Sequence, residues 1–327
     1  MRTRRWRPAG GFFPALLACL AAGGLHASPR ERVVALDGSG QYRSVQAAID
    51  GVVAGGEATT LRLGAGTWRE VVDVPAGAPP IALVGAGSGR TRLVFDNHAS
   101  RIDPRTGKPF GTFASATVTV RADDFSAAHL TIANDAGPVG QAVALAVVGT
   151  RAAFRDVRFL GHQDTLYLQG HDSLSWFGGC EVHGTVDFIF GAGTALFEDC
   201  RIHSVGNGYV TAAATPRDHP HGLVFRDCTL TAAEGVDAVY LGRPWRDHAR
   251  VAFLDSELGA HILAAGWHDW GRPERQASAF FAEAGNRGAG AATAGRVPWS
   301  HALPPAQAST YSREAILGHW RPFEWAP

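Results

Sequence analysis

Lysine is almost missing from this chain. Lys108 is the single lysine among 30 basic side chains, an imbalance of codon usage rather than of chemistry. Net charge is missing too. The 30 acidic residues balance the 30 basic ones, so nothing in the composition draws the chain to nucleic acid or an anionic membrane surface. There is no Leu/Ala/Glu/Lys heptad, which excludes a coiled coil, and no apolar run long enough to span a bilayer. Several chemistries lack their motifs. The glycines of Gly85-Ala86-Gly87-Ser88-Gly89 do not have the spacing of a nucleophile elbow. No His-Glu-x-x-His or paired Cys-x-x-Cys offers a zinc site. Gly64-x-Gly66 and Gly191-x-Gly193 do not complete a dinucleotide fingerprint, and Asp-rich calcium nonapeptides are absent. The expectation is an enzyme or binding protein with neither metal nor cofactor.

What the chain does have is glycine, 40 of its 327 residues, and apolar residues at 46%, enough for a large core with frequent corners. Its N-terminus reads as a targeting segment. Arg2, Arg4, Arg5 and Arg7 precede the short apolar run Phe12 to Leu20, and small residues lead to a cut near Ala27. That makes residues 1–27 a signal peptide and predicts a secreted or cell-envelope protein. Leu16-Leu17-Ala18-Cys19 also resembles a lipobox, which would leave a lipidated Cys19.

The mature chain, 33–327, reads as one domain. After Val33 to Tyr42, the apolar residues Val45, Ala48, Ile49, Val52 and Val53 recur at helical spacing, as in a short capping helix. Short apolar runs follow: Leu61–Leu63, Val71–Val74, Ile81–Val84 and Leu93–Phe95. Then a hexapeptide led by phenylalanine recurs from Phe125, Phe154, Phe177, Phe197, Phe225 and Phe253, at steps of 29, 23, 20, 28 and 28 residues. Repeats of this length with a strand each and no helix between them predict an all-β solenoid, a parallel β-helix, in which like positions stack. A β-propeller needs longer blades, about 40–45 residues.

Stacking in this register has two consequences. Cys180, Cys200 and Cys228 hold the same place in successive coils, about 4.8 Å apart, within reach of a disulfide by Cα separation. Cys180–Cys200 is the preferred pair because its coil is shortest, and a ladder of buried thiols is the alternative. Asp164 and Asp187 each lie ten residues after a repeat phenylalanine, Phe154 and Phe177. They stack about 5 Å apart, where two carboxylates cannot both ionise freely, so one pKa should rise and the other stay low.

Around this pair, Gln141 and Gln163 offer amide donors for an oxyanion. Arg243 can hold one aspartate ionised through two parallel hydrogen bonds. Tyr167, Phe190 and Trp245 can form a platform for a sugar ring. A carboxylate pair at this spacing would also suit glycoside hydrolysis; the two glutamines tilt the reading toward ester hydrolysis.

Gln141-Ala-Val-Ala-Leu145, Gly161-His-Gln-Asp-Thr-Leu166, Gly184-Thr-Val-Asp-Phe-Ile-Phe-Gly191 and Leu241-Gly-Arg-Pro-Trp245, in that order, resemble the pectin methylesterases (pectinesterases). The resemblance runs from about Val33 to the end of the chain. It implies a right-handed parallel β-helix and a monomer acting on pectin, a methylated polygalacturonate. Asp187 would be the nucleophile, Asp164 the general acid and base, Gln141 and Gln163 the oxyanion donors, and Arg243 the residue orienting Asp187. Thr112, Tyr167, Phe190, Trp245 and Trp267 would contact the polymer. With no inhibitor-like region between the signal and Val33, the bacterial form is the better match. Two alternatives stay open: an envelope acyl thioesterase of the same fold, and a carbohydrate-binding β-helix without activity.

Overall fold

A computed structural model describes residues 29–323. Its strands are short, two to nine residues, and glycine or left-handed aspartate corners interrupt many of the apolar runs. Neighbouring strands come from successive coils and pair in parallel. They form a seventeen-stranded sheet and a seven-stranded sheet, the walls of a parallel β-helix.

The phenylalanine ladder is real. Phe154 pairs with Phe177, Phe177 with Phe197, Phe197 with Phe225 and Phe225 with Phe253. Their buried rings stack face to face at 4.4–4.8 Å, an inward column favoured by both area burial and offset stacking. The first rung differs from the expectation. Phe154 pairs with Ala127, not Phe125. Phe125 is still buried and meets Phe154 at 6.0 Å between ring centroids, because residues two apart on a strand share a face.

The N-terminal end is closed by the helix Val45–Gly55, whose Val45, Ala48, Ile49 and Val52 are buried. Val53, counted in the same pattern, is 38% exposed. Ser44 caps the helix by accepting from the Ala47 N–H, and Gly56 ends it in the left-handed conformation. The Glu70 carboxylate accepts from the backbone N–H groups of Val45 and Gln46, placing negative charge at the positive end of the helix dipole. At the other end of the chain, Tyr311, Ile316, Leu317 and Phe323 cover Trp176 and Leu196 on the outside of the large sheet. Among the described residues no helix is long and apolar enough to cross a membrane.

The expected disulfide is not formed. Cys180, Cys200 and Cys228 are free and buried, stacked in register, and their thiols donate to the carbonyls of Phe154, Phe177 and Phe197 on the preceding coils. In an in-register parallel ladder the side chains run side by side, so Cβ atoms repeat the strand spacing of about 4.8 Å. A disulfide needs about 3.5–4.5 Å. Cys19 and the targeting segment lie outside the described residues.

Candidate active site

The seven-stranded sheet supplies the site. Its strands Leu145–Val147, Leu166–Leu168, Ile189–Gly191, Gly208–Ala213 and Val239–Pro244 are consecutive neighbours. Gln141, Asp164 and Asp187 sit just before three of these strands, and Arg243 lies within the last. Stacking the strands therefore stacks the side chains. Gln141 and Gln163 pair directly across two coils, and Asp164 donates its N–H to the carbonyl of Val186, beside Asp187.

The octapeptide around Asp187 is a corner, not a continuous strand. Glu181–Gly184 ends one strand and Ile189–Gly191 begins the next. Asp187 takes φ 52 and Asp164 φ 65, left-handed values that Asp tolerates better than most residues. Gly184 is required here, since a Cβ would lie 2.1 Å from that of Phe188.

A cleft of about 360 Å³ holds Thr112, Gln141, Gln163, Asp164, Asp187, Phe190, Arg243 and Trp245. The sequence thus names most of its lining. Asp164 is 7% exposed and Asp187 6%. Arg243 donates from Nε and Nη2 to the two Asp187 oxygens at 2.8 and 2.7 Å, the bidentate geometry expected. Burial, and then the charge of Asp187, push the Asp164 carboxyl up to about 8, with Arg243 opposing. Asp187 does not keep the low value expected of the second carboxyl of the pair. Burial raises it as well, and the hydrogen bonds and charge of Arg243 work against that rise. The outcome is one carboxyl that keeps its proton near neutrality beside one that a cation holds toward ionisation.

The aromatic wall runs Trp245, Phe113, Tyr167, Phe190. Phe113, 54% exposed, lies 4.8 Å from Tyr167 and 6.4 Å from Trp245. Tyr167 stacks on Phe190 at 4.8 Å, is buried, and backs the wall rather than lining the cleft. Phe113 adjoins Thr112 and lines the cleft with it, a position that no repeat spacing marks in the sequence.

Trp267 is a correction. It is 1% exposed, packs between Phe253 and Phe281, and donates from its indole to Glu283; it belongs to the core. Trp270, three residues on, lines the cleft instead. It has φ 65, and that turn swings its ring over the Arg243 guanidinium, 3.6 Å from Cζ to the ring centroid. No apolar periodicity signals such a turn.

Among the described residues one group, His171, Asp172 and His219, is compact enough for a metal, with ligand atoms within 4.8 Å. None of the three lines the cleft. His171 already uses Nδ1 on Asp172 at 3.0 Å and Nε2 on Asp218 at 3.3 Å, so both ring nitrogens are engaged.

A sequence model described as pectinesterase matches residues 31–319. Pectinesterase 31 of Arabidopsis thaliana is 39% identical over 290 residues, covering 87% of this chain and 91% of that protein. Among solved structures, pectin methylesterase from carrot matches with a TM-score of 0.81 at 32% identity, over 88% of this chain and 93% of that one. Pectin methylesterase PemA from Erwinia chrysanthemi matches with a TM-score of 0.79 at 30% identity, over 90% and 99%. Plant and bacterial proteins are thus both similar, and the expectation of a specifically bacterial form finds no support. The thioesterase and binding-only alternatives are not favoured either. With its β-helix, its carboxylate pair and these likenesses in agreement, the chain belongs to the pectinesterase family.

Proposed function

We propose that this pectinesterase removes methyl esters from pectin through an acyl-enzyme on Asp187. The observation that carries the reading is the bidentate Arg243–Asp187 pair beside an Asp164 carboxyl raised to about 8. An Asp187 oxygen attacks the ester carbonyl of a methyl galacturonate, and the developing oxyanion accepts from Gln141 and Gln163. The carbon–methoxy bond breaks as Asp164 gives its proton to the leaving oxygen, and methanol departs. Water then attacks the Asp187 anhydride, losing a proton to the Asp164 carboxylate. Its oxygen stays on the galacturonate, Asp187 leaves as carboxylate, and Asp164 is protonated again. Thr112, Phe113, Phe190, Trp245 and Trp270 line the groove where the polymer lies.

Residues 1–27 serve as an export signal, with lipidation at Cys19 the alternative processing, and 33–327 form the single catalytic domain of a monomer. The mass of the mature N-terminus distinguishes the two processing routes. Methanol release from methylated pectin tests the reaction. Asp187→Ala, with its circular dichroism unchanged, should lose about 10⁴-fold or more. Release at the wild-type rate would overturn the nucleophile assignment.

A further inference from the structure

An arginine on a long side chain has many rotamers, so a bidentate bond to Asp187 needs something that fixes the guanidinium plane. The two faces of Arg243 supply it. Cζ lies 3.6 Å from the Trp270 ring centroid and 3.9 Å from that of Tyr209. The cation is stacked between two rings, while its edge meets the carboxylate.

The two rings are not independent. Tyr209 stacks on Tyr240, 5.2 Å apart and 10° from parallel. The His268 ring abuts both, at 5.7 and 5.3 Å. His268 also accepts, through Nδ1, the backbone N–H of Trp270 at 3.0 Å, within the turn that gives Trp270 its left-handed φ. The Asp269 carboxylate braces the same turn by accepting from the Gly271 N–H and the Gln276 amide. One histidine therefore touches the support of one face and sets the backbone of the other. Trp270 lines the cleft, whereas Tyr209 is not among the residues that do.

We infer that Tyr209 and Trp270, joined through His268, form an aromatic clamp that holds the Arg243 guanidinium in the plane of the Asp187 carboxylate, with Tyr209 a positioning residue that does not touch substrate. This rests on the reading of Asp187 as nucleophile. The ionisable groups of the cleft are Asp164, Asp187 and Arg243; Tyr209 lies against the guanidinium, and His268 meets the two tyrosine rings at a tilt. Loosening the clamp weakens the one group that opposes the burial of Asp187, so the carboxylate protonates at higher pH.

The test is Tyr209→Leu against Tyr209→Phe in the full chain, with kcat, KM and the acid limb of the pH profile on methylated pectin. The Asp187 carboxyl is followed separately by infrared titration without substrate. Tyr209→Leu should lower kcat about tenfold at pH 6 and leave KM within about twofold. It should also move the acid limb and the infrared titration up by about one unit. Tyr209→Phe, which keeps the ring face, should restore all three. An unchanged acid limb, a change in KM alone, or a Tyr209→Phe as impaired as Tyr209→Leu would overturn the clamp. If Tyr209→Leu does not fold, Trp270→Leu against Trp270→Phe carries the same acid-limb and infrared readouts. Absence of methanol release by the wild type would instead defeat the proposed function, and the infrared titration would still decide the clamp.

Discussion

Two rows of residues in this protein share one backbone solution and differ in burial and in what their carboxylates meet. At the corner after each ladder phenylalanine, Asp156, Asp199, Asp227 and Asp255 take φ 49–54. His129, Gly179 and Gly285 complete that row with φ 57, 59 and 66. At the corner before the seven-stranded sheet, Asp164 and Asp187 take φ 65 and 52. The hydrogen bonding is the same as well. Asp199 donates its N–H to Arg226, the residue before Asp227, as Asp164 donates to Val186, the residue before Asp187. Yet Asp199, Asp227 and Asp255 are exposed, whereas Asp164 and Asp187 are buried. In the first row aspartate is there for its tolerance of a left-handed backbone, and glycine replaces it at two coils. In the second row the same tolerance delivers a carboxylate into a cleft, where burial and a partner change its chemistry.

The sharpest way to break this comparison is to neutralise one member of each row. Asp164→Asn should cut methanol release by about 10²–10⁴-fold, while Asp227→Asn should leave it unchanged. Equal losses would mean that the rows are not functionally distinct.

A smaller effect lies in stability against pH. Below about 3.8 Asp164 is protonated whether the chain is folded or not, and its preference for the folded state is fully present. Between there and about 8 the folded chain keeps a proton that the unfolded chain gives up, so this contribution falls as pH rises and is gone above about 8. Asp164→Asn has no such proton. Its melting temperature should gain on the wild type from pH 4 to pH 8 and then run parallel to it. A gap that stays constant with pH would contradict the raised carboxyl.

The smallest effect sharpens the structural row. Asp199→Ala should cost about 1–2 kcal/mol in denaturant unfolding, the penalty for an ordinary side chain in the left-handed region. Asp199→Gly should stay within about 1 kcal/mol of wild type, since glycine takes that conformation freely but loses more chain entropy. Similar costs for the two would mean that the Asp199 side chain, and not its backbone conformation, holds the corner.

The comparison also marks what could be read from the sequence. Spacing from Phe154 and Phe177 places Asp164 and Asp187 in one phase because coil register is a property of counting. The same counting misplaces Phe125, since a residue two positions away faces the same interior. It cannot decide the thiols, where Cα spacing permits a disulfide but Cys180 and Cys200 are free, as expected of in-register side chains that repeat the strand spacing at Cβ. The family resemblance, for its part, points to Trp267 where the cleft holds Trp270. The first is claimed by the core through Phe253, Phe281 and Glu283, the second delivered to the cleft by a local hydrogen bond to His268. Tertiary packing and a single turn decided those two positions.

The ladder from Phe154 to Phe253 hides an uneven thread. Its rungs stay aligned while the chain between them shortens to 20 residues from Phe177 to Phe197 and lengthens to 28 on the next two coils. Asp187 rides on the shortest. That coil turns its far corner in only Ala192 and Gly193 between strands, and at Gly191 it passes so near Leu168 that a Cβ would lie 2.0 Å from the carbonyl oxygen. Mechanically it is the coil with least slack. The neighbouring coils have residues to spare for shaping the groove, while the carboxylate at its centre rides on the coil with the fewest.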